Sequence, residues 1–200
     1  MERKEYSAGM TKLSFWFSEF RKVIQLLNSG KTLLEIKKMN LEENIFSAST
    51  QSRTIRIFNT VSTRVKSLDP SFYILFKQSD ISNQKVIALI AVMQSDSLFF
   101  DFIYEVYREK LIIGANELSD SDVGIFFKDK QVQSEKVAKW KDYTLKRLGT
   151  CYKTMLMEAG LIDRTAGNRK ILKPIIDRSL EECLKTNGMK ITLHALTGVR

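Results

Sequence analysis

Between Ile81 and Gln94, apolar side chains fall on nearly every side of a helix. Val86, Ile87, Leu89, Ile90, Val92 and Met93 leave no polar stripe wide enough to face water. Such a helix has to be surrounded, which predicts a bundle with this segment at its centre. The flanking segments suit that role. Ser14 to Asn28 carries Phe15, Trp16, Phe20, Val23, Ile24 and Leu27 on one face and stops at Gly30. Thr32 and Glu35 have capping-box spacing for a short helix. Ser49 to Leu68 reads as a long helix, and Asp69-Pro70 starts another. Ser97 to Ile113 is predicted as one aromatic-rich helix ending at Gly114, with Asp101, Glu105, Arg108 and Glu109 as a surface ion-pair stripe. Ser119, followed by Asp120 and Asp122, opens a further helix.

The stretch from Ser134 to Ile176 has a different character. Ser134 caps a short helix ending near Trp140, and Asp142 is placed to cap a second, Tyr143 to Ala159, which Gly160 terminates. Leu145, Leu148, Tyr152, Met155, Leu156 and Ala159 share one face of that helix. The opposite stripe is Tyr143, Lys146, Arg147, Thr150, Lys153 and Thr154, all cations or hydrogen-bond donors. Leu161-Ile162 and Ile171-Leu172 then bracket a polar tip with Gly167-Asn168 as its turn signal, a two-stranded ribbon with Arg164, Arg169 and Lys170 at the basic end. Helix, turn, helix and basic ribbon resembles a winged helix-turn-helix. There the second helix would enter the major groove and the wing would touch phosphates or the minor groove. An ordinary helical hairpin with a solvated basic face is the competing reading. Asp177 to Asn187 is a last helix, and Ile191 to Val199 is ambiguous between strand and helix.

The predicted fold class is therefore mainly α. A helical bundle spans residues 1–130, polar Lys128 to Gln133 is the candidate linker, and a winged-helix region with a small β-hairpin spans 131–200. Only two prolines and nine glycines agree with a mostly helical chain.

Charge sharpens the functional reading. The formal net charge is +9, and a balance this basic favours polyanions. Residues 1–118 hold 16 basic and 13 acidic side chains, whereas residues 119–200 hold 16 and 10, so the excess concentrates in the winged-helix region. A second basic stripe lies in the acid-free stretch between Glu43 and Asp69, where Arg53, Arg56, Thr60 and Arg64 recur along one side of a helix. For that helix a phosphate-contacting stripe and a plain solvated face both remain open.

Little points to chemistry. There is one histidine, His194, and no phosphate-cradling glycine motif. Cys151 and Cys183 match no metal spacing and fit a reducing compartment. Asp101 and Glu105 lie one turn apart, as two carboxylates sharing a metal would, but an ion-pair stripe is the simpler reading. No enzyme activity and no cofactor are predicted. The N-terminal MERKEYSAGMTK has no signal-peptide core, and the longest charge-free run, Val86 to Ser95, is ten residues, too short for a bilayer. A cytoplasmic protein with no membrane partner is expected.

Four stretches carry a family resemblance: YSAGMTK running into FWFSEFRKVIQLL, then Asn44–Asp69, Leu98–Gly114, and VAKWKDYTLKRL continuing into LMEAGLID. Together, in order along most of the chain, they resemble the BrxA family, the small component of BREX (bacteriophage exclusion) phage-defence systems. The resemblance implies a soluble, non-enzymatic protein acting beside other BREX proteins, among them a methyltransferase, an ATPase and a phosphatase-like protein. It also implies DNA binding and a helical body similar to the NusB antitermination fold. NusB-like folds also bind RNA, which keeps an RNA partner open. The expected function is binding of double-stranded DNA, mainly through phosphates and with low sequence specificity. The alternatives are an interaction adaptor within the defence complex and an RNA-binding protein.

Overall fold

The computed structural model describes residues 4–164 and 167–199. They are mainly helical and form two compact units, Trp16 to Ser95 and, separately, the residues up to Phe15 together with those from Asp96 onward. This division is not a cut near residue 130: the polar stretch expected as a linker is the last part of a helix, and Lys130 within it is buried.

The Trp16–Ser95 unit holds α1 (Phe17–Asn28), α2 (Leu33–Glu43), α3 (Gln51–Lys66), α4 (Ser71–Gln78) and α5 (Ile81–Ser95). The local signals act as their chemistry requires. Thr32 and Glu35 close a capping box, with the Thr32 amide donating to Glu35 at 2.7 Å and the Glu35 amide donating to the Thr32 hydroxyl at 3.2 Å. Asp69 accepts from the Ser71 amide and Asp80 from the Asn83 amide, so each carboxylate satisfies a donor that its helix leaves open. α5 is the central element. Every residue from Val86 to Met93 is at most 2% exposed, and α1, α3 and α4 pack around it. Burying one such aliphatic side chain is worth about 1.5–3 kcal/mol, so this helix dominates the unit's stability.

The second unit holds α6 (Ser97–Phe102), a π-helical turn (Ile103–Tyr107), α7 (Arg108–Ile112), β1 (Glu117–Leu118), α8 (Asp120–Gln133), α9 (Glu135–Ala138), α10 (Asp142–Ala159), β2 (Arg169–Lys170), α11 (Arg178–Thr186) and α12 (Lys190–Thr197). Its core is aromatic. The Tyr152 ring meets those of Phe99, Phe102 and Phe127 at centroid distances of 5.0, 5.2 and 5.8 Å. The Tyr152 hydroxyl is buried with no hydrogen-bond partner among the described residues, and burial holds its pKa well above the usual tyrosine range.

The structure overturns three expectations and resolves a fourth. The Ser97–Ile113 segment is not one regular helix but is interrupted by the π turn, a wider turn that shifts the faces on either side. The stripe read as surface ion pairs is split as a result: Asp101 is 6% exposed and, with Glu105, faces Lys130 of α8. Arg108 and Glu109 do pair at the surface, at 2.6 Å. The ambiguous C-terminal segment is helical, α12 burying Leu193, Ala195 and Leu196. Asp142 lies inside the first turn of α10 and makes no capping hydrogen bond.

Candidate nucleic-acid interface

α10 is built as its two stripes require. Leu145, Leu148, Gly149, Tyr152, Met155, Leu156 and Ala159 are buried, and Gly160 ends the helix at φ 83°, a left-handed position that glycine occupies without cost. On the opposite face Tyr143 is 78% exposed, and Lys146, Arg147 and Thr150 are also exposed. Thr150 donates back to the Lys146 carbonyl at 3.0 Å, and Arg147 Nε donates to the Thr11 carbonyl at 3.5 Å. Lys139 and Lys141, exposed in the turn before α10, add charge at its N-terminal end. The sequence reading overlooked both, although their position just ahead of a helix start was visible.

Lys153 belongs to the same stripe by spacing but is placed differently. Its ammonium is paired with Asp120 of α8, and only 15% of its side chain is exposed, so it ties α10 to α8. Its neighbour Thr154 is half-buried and donates to the Thr150 carbonyl.

The ribbon after α10 forms, with an addition. Ile162 and Ile171 make an antiparallel bridge, Asp163 N donates to the Lys170 carbonyl at 3.0 Å, and Leu172 N donates to the Leu161 carbonyl at 2.8 Å. The returning strand pairs on its other edge with β1, Glu117 opposite Lys170 and Leu118 opposite Arg169. Asn116–Leu118 carries no strand signal of its own; it is recruited because the β2 edge offers unpaired backbone groups. Thr165 and Ala166, in the centre of the predicted tip, lie outside the described residues. Arg164 and Lys170 are exposed. Arg169 is half-buried and turned inward: its guanidinium donates to the Asp163 carbonyl at 3.2 Å and meets Met157 Sδ at 3.4 Å.

In the other unit, Arg53 and Arg56 are exposed on α3, and Thr60 is half-buried. Asn59, Thr63 and Lys66 continue the exposed side at helical spacing. Arg64 does not belong there. It is 2% exposed, with its guanidinium 5.9 Å from the centroid of the Trp16 ring. Periodicity placed Arg64 with Arg53 and Arg56, but Trp16 covers that end of α3.

Among the described residues no group of three or more His, Cys, Asp or Glu side chains could hold a metal ion. The carboxylates considered as metal partners, Asp101 and Glu105, share the Lys130 ammonium instead. Burial raises the Cys151 thiol pKa, against the lowering effect of Arg147, which leaves the thiol a poor nucleophile at neutral pH. Among the described residues no single helix is long and apolar enough to cross a membrane.

Residues 4–188 match the BrxA family. The chain is 37% identical over 198 residues to a BREX protein BrxA from Bacillus cereus (strain H3081.97), covering 99% of each sequence. Its fold is similar to that of an uncharacterized protein from Magnetospirillum magneticum known from a crystal structure, with a TM-score of 0.80 and 16% identity over 98% of this chain and 100% of that one.

Proposed function

From the premise that this chain belongs to the BrxA family, we propose that it serves a BREX phage-defence system as a non-enzymatic, cytoplasmic protein that binds double-stranded DNA. In this reading α8, α9, α10 and the hairpin act as a winged helix-turn-helix. α10 lies in the major groove, and the ribbon rests on the backbone. Tyr143, Lys146, Arg147 and Thr150 face base edges and the groove walls. Arg164, Lys170, Lys139 and Lys141 contact phosphates. The Trp16–Ser95 unit would be the NusB-like body, with Arg53 and Arg56 as a secondary phosphate surface.

One observation carries the reading. The outward face of α10 carries Tyr143, Lys146, Arg147 and Thr150 as exposed donors and cations, and the ribbon that follows the helix leaves Arg164 and Lys170 exposed. Most of these side chains are cations, so affinity should come chiefly from phosphates, with low sequence specificity.

The test is fluorescence anisotropy with matched duplex DNA, single-stranded DNA and RNA over a range of salt. Duplex binding that weakens steeply with salt and is lost in the Lys146→Ala/Arg147→Ala variant supports the reading. A preference for RNA that is lost in an Arg53→Ala/Arg56→Ala variant would move the interface to α3. Binding to none of the three would leave the basic face as a protein-docking surface within the defence complex.

A further inference from the structure

α8 and α10 do not close against one another along their whole length. They come together at Gly149, where a Cβ would stand 2.6 Å from Val123 Cγ1, and then diverge to leave a groove of about 560 Å³. Val123, Phe127 and Leu145 make its floor apolar. Gly124, an exposed position within α8, opens onto the same groove, and apart from its chain neighbours and its own helix backbone no atom lies within 4 Å of the position its Cβ would take. Glycine is unfavourable in a helix interior unless something needs the space. Gly149 is accounted for by helix packing. Among the described residues nothing fills the room at Gly124.

The rim is charged. Lys153 and Asp120 pair across it and neutralise each other. Asp142 sits in the first turn of α10, where the helix dipole compensates a carboxylate. Lys128 on the α8 side and Lys146 on the α10 side have no acidic partner among the described residues. What remains is an apolar slot of ligand size flanked by two uncompensated ammonium groups. DNA accounts for the ammonium groups but offers no bulky apolar group to fill the floor.

We propose that the groove between α8 and α10 docks an acidic segment of a partner protein, whose bulky aromatic side chain enters beside Gly124 while its carboxylates meet Lys128 and Lys146. Lys146 also belongs to the proposed DNA face, so partner and DNA would compete. That competition rests on the DNA reading; the docking does not.

The probe is a fluorescein-labelled synthetic peptide of alternating Asp and Glu around one central Trp, titrated into the full chain and followed by anisotropy and backbone amide NMR. Shifts should concentrate at Val123, Gly124, Gly149 and Thr150. Replacing the Trp by Ser should weaken binding by about tenfold or more. Gly124→Leu sets an apolar side chain into the groove at a position whose Cβ has open space, and Lys128→Glu reverses the rim charge at an exposed position. Gly124→Leu should lower peptide affinity by about tenfold while leaving duplex DNA binding unchanged within about twofold, and Lys128→Glu should lower peptide affinity by about tenfold. Peptide affinity that survives both variants, or shifts confined to other surfaces, overturns the proposal. If the peptide is bound but DNA is not, the DNA reading fails and the docking site stands.

Discussion

Lys130 Nζ donates to Glu105 Oε1 at 2.6 Å from a side chain that is 2% exposed, whereas the Glu105 side chain is 40% exposed. The ion pair is therefore asymmetric: the ammonium is inside the fold and one of its carboxylates still reaches water. Asp101, 3.6 Å away and buried, completes the arrangement, and Tyr6 donates to Asp101 at 2.5 Å. This ties the N-terminal segment to α6, the π turn and α8.

Lys130→Met should destabilise the protein by roughly 3 kcal/mol, because it leaves Asp101 buried without its cation while hydrated Glu105 suffers less. Burial opposes the Lys130 charge, but the hydrogen bond to Glu105 and the charges of Glu105 and Asp101 outweigh it, so its pKa is raised. A raised cationic pKa contributes stability in full below the unfolded value of about 10.4 and loses it as pH rises through the folded value. Denaturant unfolding at pH 8 and above 10 should show an alkaline loss in the parent that is smaller in Lys130→Met.

The two helix-interior glycines should respond oppositely to alanine. Gly149→Ala sets a methyl against Val123, a β-branched side chain with little rotamer freedom, and should cost about 1–3 kcal/mol. Gly124→Ala enters open space and should stabilise by up to about 1 kcal/mol. Thermal melts of the two variants beside the parent check both signs.

Arg64→Ala should unfold more readily, since it removes a buried side chain packed over Trp16, yet the folded variant should bind DNA as the parent does. Arg53→Ala should show the reverse pattern, with unchanged melting. Equal loss of DNA affinity in both would contradict the burial of Arg64.

Acid should weaken the helix starts. Glu35, Asp69 and Asp80 all have lowered pKa values, the largest cause in each case being a backbone amide: Thr32 for Glu35, Ser71 for Asp69 and Asn83 for Asp80. A lowered carboxylate pKa contributes stability above the unfolded value of about 4 and loses it as pH falls through the folded value. Melting temperature should be flat from neutral pH to about 5 and fall below about 4, and Asp80→Ala should reduce that fall.

In the proposed interface, the Lys139→Ala/Lys141→Ala variant should lower the slope of log affinity against log salt by about 2, two phosphate-neutralising cations at about 0.9 each. Its melting temperature should be unchanged, since both side chains are exposed. An unaltered slope would remove the turn before α10 from the interface.

The family was legible because four stretches spread along the chain resemble it, and much of the helical plan because its signals are local. Caps at Thr32, Asp69 and Ser119, stops at Gly114 and Gly160, and the all-round apolar run of α5 act within a few residues of where they are written. The two stripes of α10 were likewise readable, since helical periodicity alone separates Leu145 and Tyr152 from Lys146 and Arg147.

What tertiary structure alone decided is which polar side chains stay in water. Spacing placed Arg64 with Arg53, Lys153 with Lys146, and Asp101 with Arg108. Yet Trp16 covers Arg64, Asp120 pairs with Lys153, and Lys130 draws Asp101 inward. Each outcome depends on a residue more than twenty positions away in sequence, brought there by packing. Along the chain alone, sequence determined helix faces and helix ends through local hydrogen bonding and period. Only the fold determined how far each charged group is desolvated, because desolvation is set by whatever neighbour packing brings over that group.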